Sequence, residues 1–300
     1  MTIRVHPEVQ AAVDARRPVV ALESSVIAQG LPIPHNRRAA ERIIAAVRDS
    51  GAVPAITAVV RGVPAVGLED DELERFLQRD GVRKVSARDL AAAIALGEDG
   101  ATTVAATLAL ASRAGVSVLA TGGIGGVHRG VPFDESADLV ELARTQMIVV
   151  CAGAKSILDL PATWERLETL GVPVVGYRTR ELPGFFAAET GIALDTTAHS
   201  PADVAAIFVA HRSLGRQQAL VVVQPPPAAF ALDRRHVDDV VAQALEAARR
   251  EGVTGAGTTP FLLAAVTRLT NGSSLEANLA LLEQNAALAG KIATICCGLS

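Results

Sequence analysis

"MIVVCAGAKSILDLPATWERLETLGVPVVGY", residues 147–177, reads as an apolar run, a helix candidate over 162–171 that ends in glycine, and a second apolar run. Runs this short and apolar suit strands buried on both faces, and glycine suits a helix C-cap. The same alternation extends outward in both directions. Strands are expected at 18–23 ("PVVALE"), 54–60, 63–68, 116–121, 147–152, 172–177 and 219–224 ("ALVVVQ"). Helices are expected at 35–51, 101–115, 134–146, 162–171 and 201–215, and beyond residue 230 only helices remain, near 233–250, 259–270 and 274–294. The pattern predicts an α/β fold: an α/β/α layered sandwich with a largely parallel sheet and a C-terminal helical segment packed on it. No Pro-, Gly- or Ser-rich linker interrupts it, so residues 1–300 are read as one domain.

Composition narrows the function. Half of the residues are hydrophobic but only 3% aromatic, so the core is filled by Ala, Val, Leu and Ile. The net charge of −4, with no basic run, argues against nucleic-acid partners. The charged N-terminal stretch lacks a signal-peptide core, and no apolar run reaches the roughly 18 residues of a membrane span, so a soluble cytoplasmic protein with no membrane partner is expected. Cys151, Cys296 and Cys297 are read as reduced thiols, Cys151 as a small core residue.

Of 28 basic side chains only Lys84, Lys155 and Lys291 are lysine. Arginine stays protonated, whereas lysine can lose its proton and attack a carbonyl carbon, so a lysine kept in an arginine-rich chain is a candidate nucleophile. Lys155 follows a buried strand. Ligands of open α/β sheets bind beyond the carboxyl ends of the strands, where Glu23, Thr121 and Lys155 all fall. "TGGIGGVHRG" (121–130) puts His128 where a dinucleotide fingerprint needs its third glycine, and "CAGAKS" lacks the glycines of a phosphate loop. In "FDESADLVELA" (133–143), Asp134 and Asp138 are expected one helical turn apart on the same side. There they serve either as helix caps or as oxygen donors to Mg²⁺ or Mn²⁺. Gly100, Thr102 and Thr103 are expected at a helix N-terminus, as an anion site or as ordinary caps.

Taken in order, "ALESSVIAQGLPIPHN" (21–36), "KVSARDL" (84–90), "GATTVAAT" (100–107), "ATGGIGGVHRG" (120–130), "FDESADL" (133–139), "VCAGAKSILDL" (150–160) and "TPFLL" (259–263) resemble the pseudouridine-5′-phosphate glycosidase family, which includes the indigoidine-cluster A proteins. The resemblance implies a cytoplasmic, homotrimeric lyase of the hydro-lyase class. Such an enzyme uses Mn²⁺, or another divalent ion such as Mg²⁺, to split pseudouridine 5′-phosphate into uracil and ribose 5-phosphate. It implies Lys155 as the nucleophile on C1′ of a ring-opened ribose, forming an iminium, and Glu23 as the proton donor to the departing uracil carbon. It further implies Asp134 as metal ligand, and Lys84, Val104, Ser136, Ala137, Asp138, Thr121, His128 and Asn278 as substrate contacts. One departure is Ala256, where family members often carry lysine; another is the short rim loop Val131–Pro132. Two alternatives are a Schiff-base lyase or aldolase for another sugar phosphate and a non-catalytic nucleotide-phosphate binding protein.

Overall fold

The computed structural model describes residues 2–130, 133–253 and 255–298. Val131 and Pro132, the short rim loop, lie outside them, as does the side chain of Ala256. Eleven strands among the described residues form one sheet: β1 (Arg4–Val5), β2 (Val19–Glu23), β3 (Val53–Val60), β4 (Val63–Val66), β5 (Val82–Val85), β6 (Asp99–Thr102), β7 (Val118–Ala120), β8 (Ile148–Cys151), β9 (Val174–Tyr177), β10 (Thr197–Ala198) and β11 (Leu220–Val223). The order runs β1-β4-β3-β2-β7-β8-β11-β9-β10, with β6 also on β3 and β5 on β6. From β3 through β2, β7, β8, β11 and β9 to β10 every pairing is parallel.

The central strands have the buried runs that parallel sheets need, since every residue of β2, β7, β8 and β11 is buried. Helices cover both faces. Ser273–Cys297 lies against β2, β7 and β8 with His35–Asp49 and Pro201–Ser213 beside it, while Val104–Ala111 packs with Ala137–Leu142 and β2. Ser273–Cys297 is buried almost all round, which is why it carries little amphipathic patterning. His35–Asp49 shows the opposite design, burying Ala39, Ala40, Ile43 and Val47 along one stripe and exposing its arginines. No helix among the described residues is long and apolar enough to cross a membrane.

The layered sandwich is therefore the observed architecture, with four strands that the periodicity does not mark. β5 and β6 are polar or small along most of their length, and β1 and β10 have two residues each. The expected helix over 101–115 is also corrected. Ala101 and Thr102 end β6, Thr103 is the N-cap, and the helix covers Val104–Ala111.

β5 and β6 set the shape of the molecule at the strand ends. β3 is longer than β2 and overruns it past the Glu23–Thr57 pair; on that overhang β6 pairs antiparallel, Ala58 opposite Ala101. The carboxyl end of β6 therefore meets the carboxyl end of β2 from the opposite direction, and β5, parallel to β6, brings Lys84 opposite Ala101. The joint is closed by four fully buried hydroxyls. Ser24 Oγ donates to the Thr57 carbonyl (2.6 Å) and accepts from the Thr102 amide (2.8 Å). Thr102 Oγ1 donates to the same carbonyl (2.7 Å), and Thr57 Oγ1 lies 2.8 Å from both Thr102 Oγ1 and Thr107 Oγ1. Thr102→Val keeps the shape but leaves its neighbours short of partners, so it is expected to cost about 1–3 kcal/mol. Urea unfolding of the variant measures this; a change near zero would contradict the joint's role.

Candidate active site

A crevice of about 370 Å³ opens where these strand ends meet, lined by residues from nine separate segments. Glu23, Lys84, Val104, His128, Asp134, Ser136, Ala137, Asp138, Lys155 and Asn278 all border it. Thr121 sits behind the wall, buried beneath Glu23, to which its hydroxyl donates.

Glu23 ends β2 and is 5% exposed. Its Oε1 accepts from Thr121 Oγ1 and its Oε2 accepts from Ser25 Oγ at 2.6 Å. Both oxygens of this carboxyl group are thus held by side-chain hydroxyls, which fixes the plane in which it faces the crevice. Lys155 stands past the end of β8, where the Ala154–Ile124 bridge continues the parallel pairing for one step. Its Nζ donates to the Gly123 carbonyl at 2.6 Å, which aims the amine across the crevice mouth of the glycine loop. Gly123 is glycine for a steric reason: a Cβ there would lie 2.6 Å from the Phe185 ring and 3.0 Å from the Gly153 carbonyl.

Lys84 reaches the crevice from β5. Burial is the main cause that holds its ammonium below the ordinary 10.5, and the charge of Lys155 adds to it, while Glu23 and Asp138 pull the other way. The four groups thus share one electrostatic field. Cys151, inside β8, has its thiol pushed up to about 11, chiefly by burial, and behaves as the small core residue expected.

The acidic motif is arranged differently from its sequence reading. Helix Ala137–Leu142 begins only after its N-cap Ser136, whose hydroxyl accepts from the Asp138 amide, so Asp134 precedes the helix and does not share a face with Asp138. Asp138 is buried and accepts the Ala105 amide on Oδ1 (2.9 Å) and the Gly125 amide on Oδ2 (2.8 Å). It therefore occupies the helix N-terminus that the sequence offers as an anion site. Thr102 is spent in the hydroxyl joint, but Thr103 lines the crevice. Asp134 is half exposed at the rim, its Oδ1 3.1 Å from His128 Nδ1, and Glu135 is tied to Arg166 at 2.8 Å.

Among the described residues no three His, Cys, Asp or Glu converge on a metal position. The donor set does not suit a closed all-protein site. It suits a hard divalent ion that keeps most of its water and takes Asp134 as one ligand.

Several crevice residues carry no signal in the sequence beyond their neighbourhood. Ser25 follows Glu23, while Phe185 arrives from a loop that packs its amide on the Ala152 carbonyl. Gln29 Oε1, Thr103 Oγ1 and Asn278 Oδ1 are buried on the crevice wall without partners among the described residues. Three polar atoms left so are ready acceptors, or in the case of Thr103 also a donor, for a polar ligand.

Comparison with known proteins bears on the chain as a whole. The family model described as "Indigoidine synthase A like protein" matches residues 8–295. A pseudouridine-5′-phosphate glycosidase of Gemmatimonas aurantiaca is 63% identical over 92% of this chain and 90% of its own length. One of Herpetosiphon aurantiacus is 52% identical over 96% of this chain and 95% of its own. Among solved structures, the prealnumycin C-glycosynthase AlnA, in complex with ribulose 5-phosphate, superposes with a TM-score of 0.92 at 39% identity, covering 100% of this chain and 98% of that one. An indigoidine synthase A-like protein of Thermotoga maritima gives 0.91 at 35%, covering 99% and 97%.

Lys84, a compact cation on the crevice wall, is expected to bind inorganic phosphate, and because burial lowers its ammonium pKa, that affinity is expected to weaken at a pH below the 10.5 of a free lysine. Arginine keeps its charge there, so Lys84→Arg is expected to show a flat profile over that range. Calorimetric titration with phosphate at several pH values checks this. Parallel profiles for both proteins would contradict it.

Proposed function

Because this chain belongs to the indigoidine synthase A-like protein family, we propose that it reversibly cleaves the C–C glycosidic bond of pseudouridine 5′-phosphate to uracil and ribose 5-phosphate. The observation that carries the reading is the meeting of a partly buried lysine, Lys155, a buried carboxyl, Glu23, and a second partly buried lysine, Lys84, in one crevice. Identity of 63% to a pseudouridine-5′-phosphate glycosidase supports it further.

A C–C glycoside has no leaving oxygen to protonate, so the two-carboxylate logic of ordinary glycosidases does not serve. In the proposed course the ring C1′–O bond opens with its electron pair on the oxygen, which takes a proton from water, and C1′ is left electron-poor. The neutral amine of Lys155 adds to C1′, and the nitrogen passes its extra proton to Glu23. The C1′–base bond then breaks, its electron pair going to the base carbon, which takes the proton back from Glu23. The nitrogen lone pair closes a C1′=N iminium, and water adds to it to free ribose 5-phosphate and the neutral amine, returning to solvent the proton used at ring opening. The reverse course loses that water, hence the hydro-lyase class. This order of events suits a Glu23 that accepts on both oxygens at rest.

Lys84 is assigned to the 5′-phosphate as a compact positive charge. Val104, Ser136, Ala137, Asp138, His128 and Asn278 are assigned to the walls of the same substrate pocket. Asn278 Oδ1 is the free acceptor among them. Asp134 would hold Mn²⁺, or Mg²⁺, with water completing the shell. When bound, that ion supplies positive charge for substrate oxygens at the rim. A cytoplasmic homotrimer is part of the same proposal.

A second reading, in which Lys155 forms its adduct with another open-chain sugar phosphate, is favoured by the likeness to a C-glycosynthase seen with ribulose 5-phosphate. Uracil release separates the two. Wild-type protein with pseudouridine 5′-phosphate and Mn²⁺ is expected to release uracil, followed chromatographically. Lys155→Arg is expected to abolish release with the fold intact, since guanidinium cannot form the adduct. Near-normal release by that variant would exclude the iminium course.

A further inference from the structure

Glu23 is held by a buried polar chain that the cleavage chemistry does not by itself call for. Its Oε1 receives the Thr121 hydroxyl and its Oε2 the Ser25 hydroxyl. Thr121 is itself anchored, because its backbone carbonyl accepts from Asn285 Nδ2 at 2.8 Å, and Asn285 Oδ1 accepts from Gln224 Nε2 at 2.9 Å. All five residues are buried, from Asn285 at 0% to Ser25 at 8% exposure. The chain links four separate elements: the end of β2, the end of β7, the end of β11 beside Gln224, and the C-terminal helix that carries both Asn285 and Asn278.

The two hydroxyls differ in one respect. Ser25 borders the crevice, whereas Thr121 stands behind its wall, next to Leu22 and Ala120. A carboxyl that takes a proton on one oxygen must lose the donor at that oxygen, or have it turn round to accept. Ser25, beside open space, has room to turn. Thr121 is enclosed, and among the described residues its Oγ1 makes a hydrogen bond only to Glu23, so a hydroxyl turned away from Oε1 would leave its own proton without an acceptor.

The geometry points to Thr121 as a positioning residue for Glu23: it pins Oε1, so that Oε2, on the crevice side, is the oxygen that takes and returns the proton. This inference rests on the proposed shuttling role of Glu23. It also gives Thr121 a task other than the substrate contact that family resemblance implies, since it reaches the reacting atoms only through Glu23.

The test compares Thr121→Val, Thr121→Ala and Thr121→Ser with the wild type, by kcat and KM for uracil release and by calorimetric affinity for ribose 5-phosphate. Without the hydroxyl, the carboxyl is free to rotate away from the reacting carbon. Thr121→Val is then expected to lose about 100-fold in kcat while KM and ribose 5-phosphate affinity stay within about threefold. Thr121→Ser, which keeps the hydroxyl, is expected to recover most of that loss. If the valine variant fails to fold, the alanine and serine pair carries the same comparison.

Three results would overturn the inference: unimpaired turnover in the valine or alanine variant; a raised KM with kcat unchanged, which would make Thr121 a substrate contact; or a serine variant as impaired as the others, which would make the methyl group the reason for threonine. A wild type that releases no uracil overturns the proposed function and this inference together. Wild-type turnover beside any of those three results overturns this inference alone.

Discussion

Two strand ends that run toward each other are held together by hydroxyl groups, and the crevice exists because of that junction. In an all-parallel sheet the carboxyl ends point one way and a ligand can be reached from one side only. Here the overhang of β3 beyond Thr57 lets β6 pair antiparallel, so β5 and β6 deliver Lys84 and Thr103 from the far side of the crevice to face Glu23 and Lys155. Ser24, Thr57, Thr102 and Thr107 fasten the joint in a region otherwise built of Val, Ala and Leu. Apolar packing alone slides easily along a strand. Buried hydroxyls do not, because each lost partner carries a desolvation cost of about 1–3 kcal/mol.

That junction makes the electrostatics of the crevice interdependent. Two amines face two buried carboxyl groups, and at Lys84 burial and the charge of Lys155 hold the ammonium down while Glu23 and Asp138 support it. Asp138 is fully engaged by two backbone amides, so it contributes charge and shape and no proton. Glu23 is held by two hydroxyls, of which Ser25 borders the crevice and Thr121 stands behind its wall, and in the proposed function it is the carboxyl that exchanges a proton. The division of labour follows from the donors each oxygen meets. The same field explains why lysine is kept at two positions of an arginine-rich chain: one amine is assigned to bond carbon, and the other is a compact cation in a half-apolar wall.

Much of this is legible in the sequence, for identifiable reasons. β2, β8 and β11 are buried on both faces and so read as uninterrupted apolar runs, and the strand-end rule then places Glu23 and Lys155 together. β5 and β6 are not legible, because "DGAT" owes its strand conformation to its pairing with β3, and "VRKV" to its pairing with β6, and not to their own composition. The alignment of Asp134 with Asp138 fails because Ser136 caps the helix two residues later than the pattern suggests. The pairing of Thr121 with Glu23 joins residues 98 positions apart, a relation that no local spacing encodes. The polar chain through Asn285 to Gln224 is hidden in the same way, inside a helix whose burial on nearly all sides erases its patterning.

The proposed chemistry stands or falls on whether Lys155, not Lys84, bonds to the sugar, and a chemical trap decides it. Protein turning over pseudouridine 5′-phosphate is quenched with borohydride, which reduces an iminium to a stable amine, and its peptides are mapped by mass spectrometry. The expected result is a ribose-phosphate adduct on the peptide that contains Lys155 and an unmodified Lys84. An adduct on Lys84, or none on either lysine while uracil is being released, would contradict it.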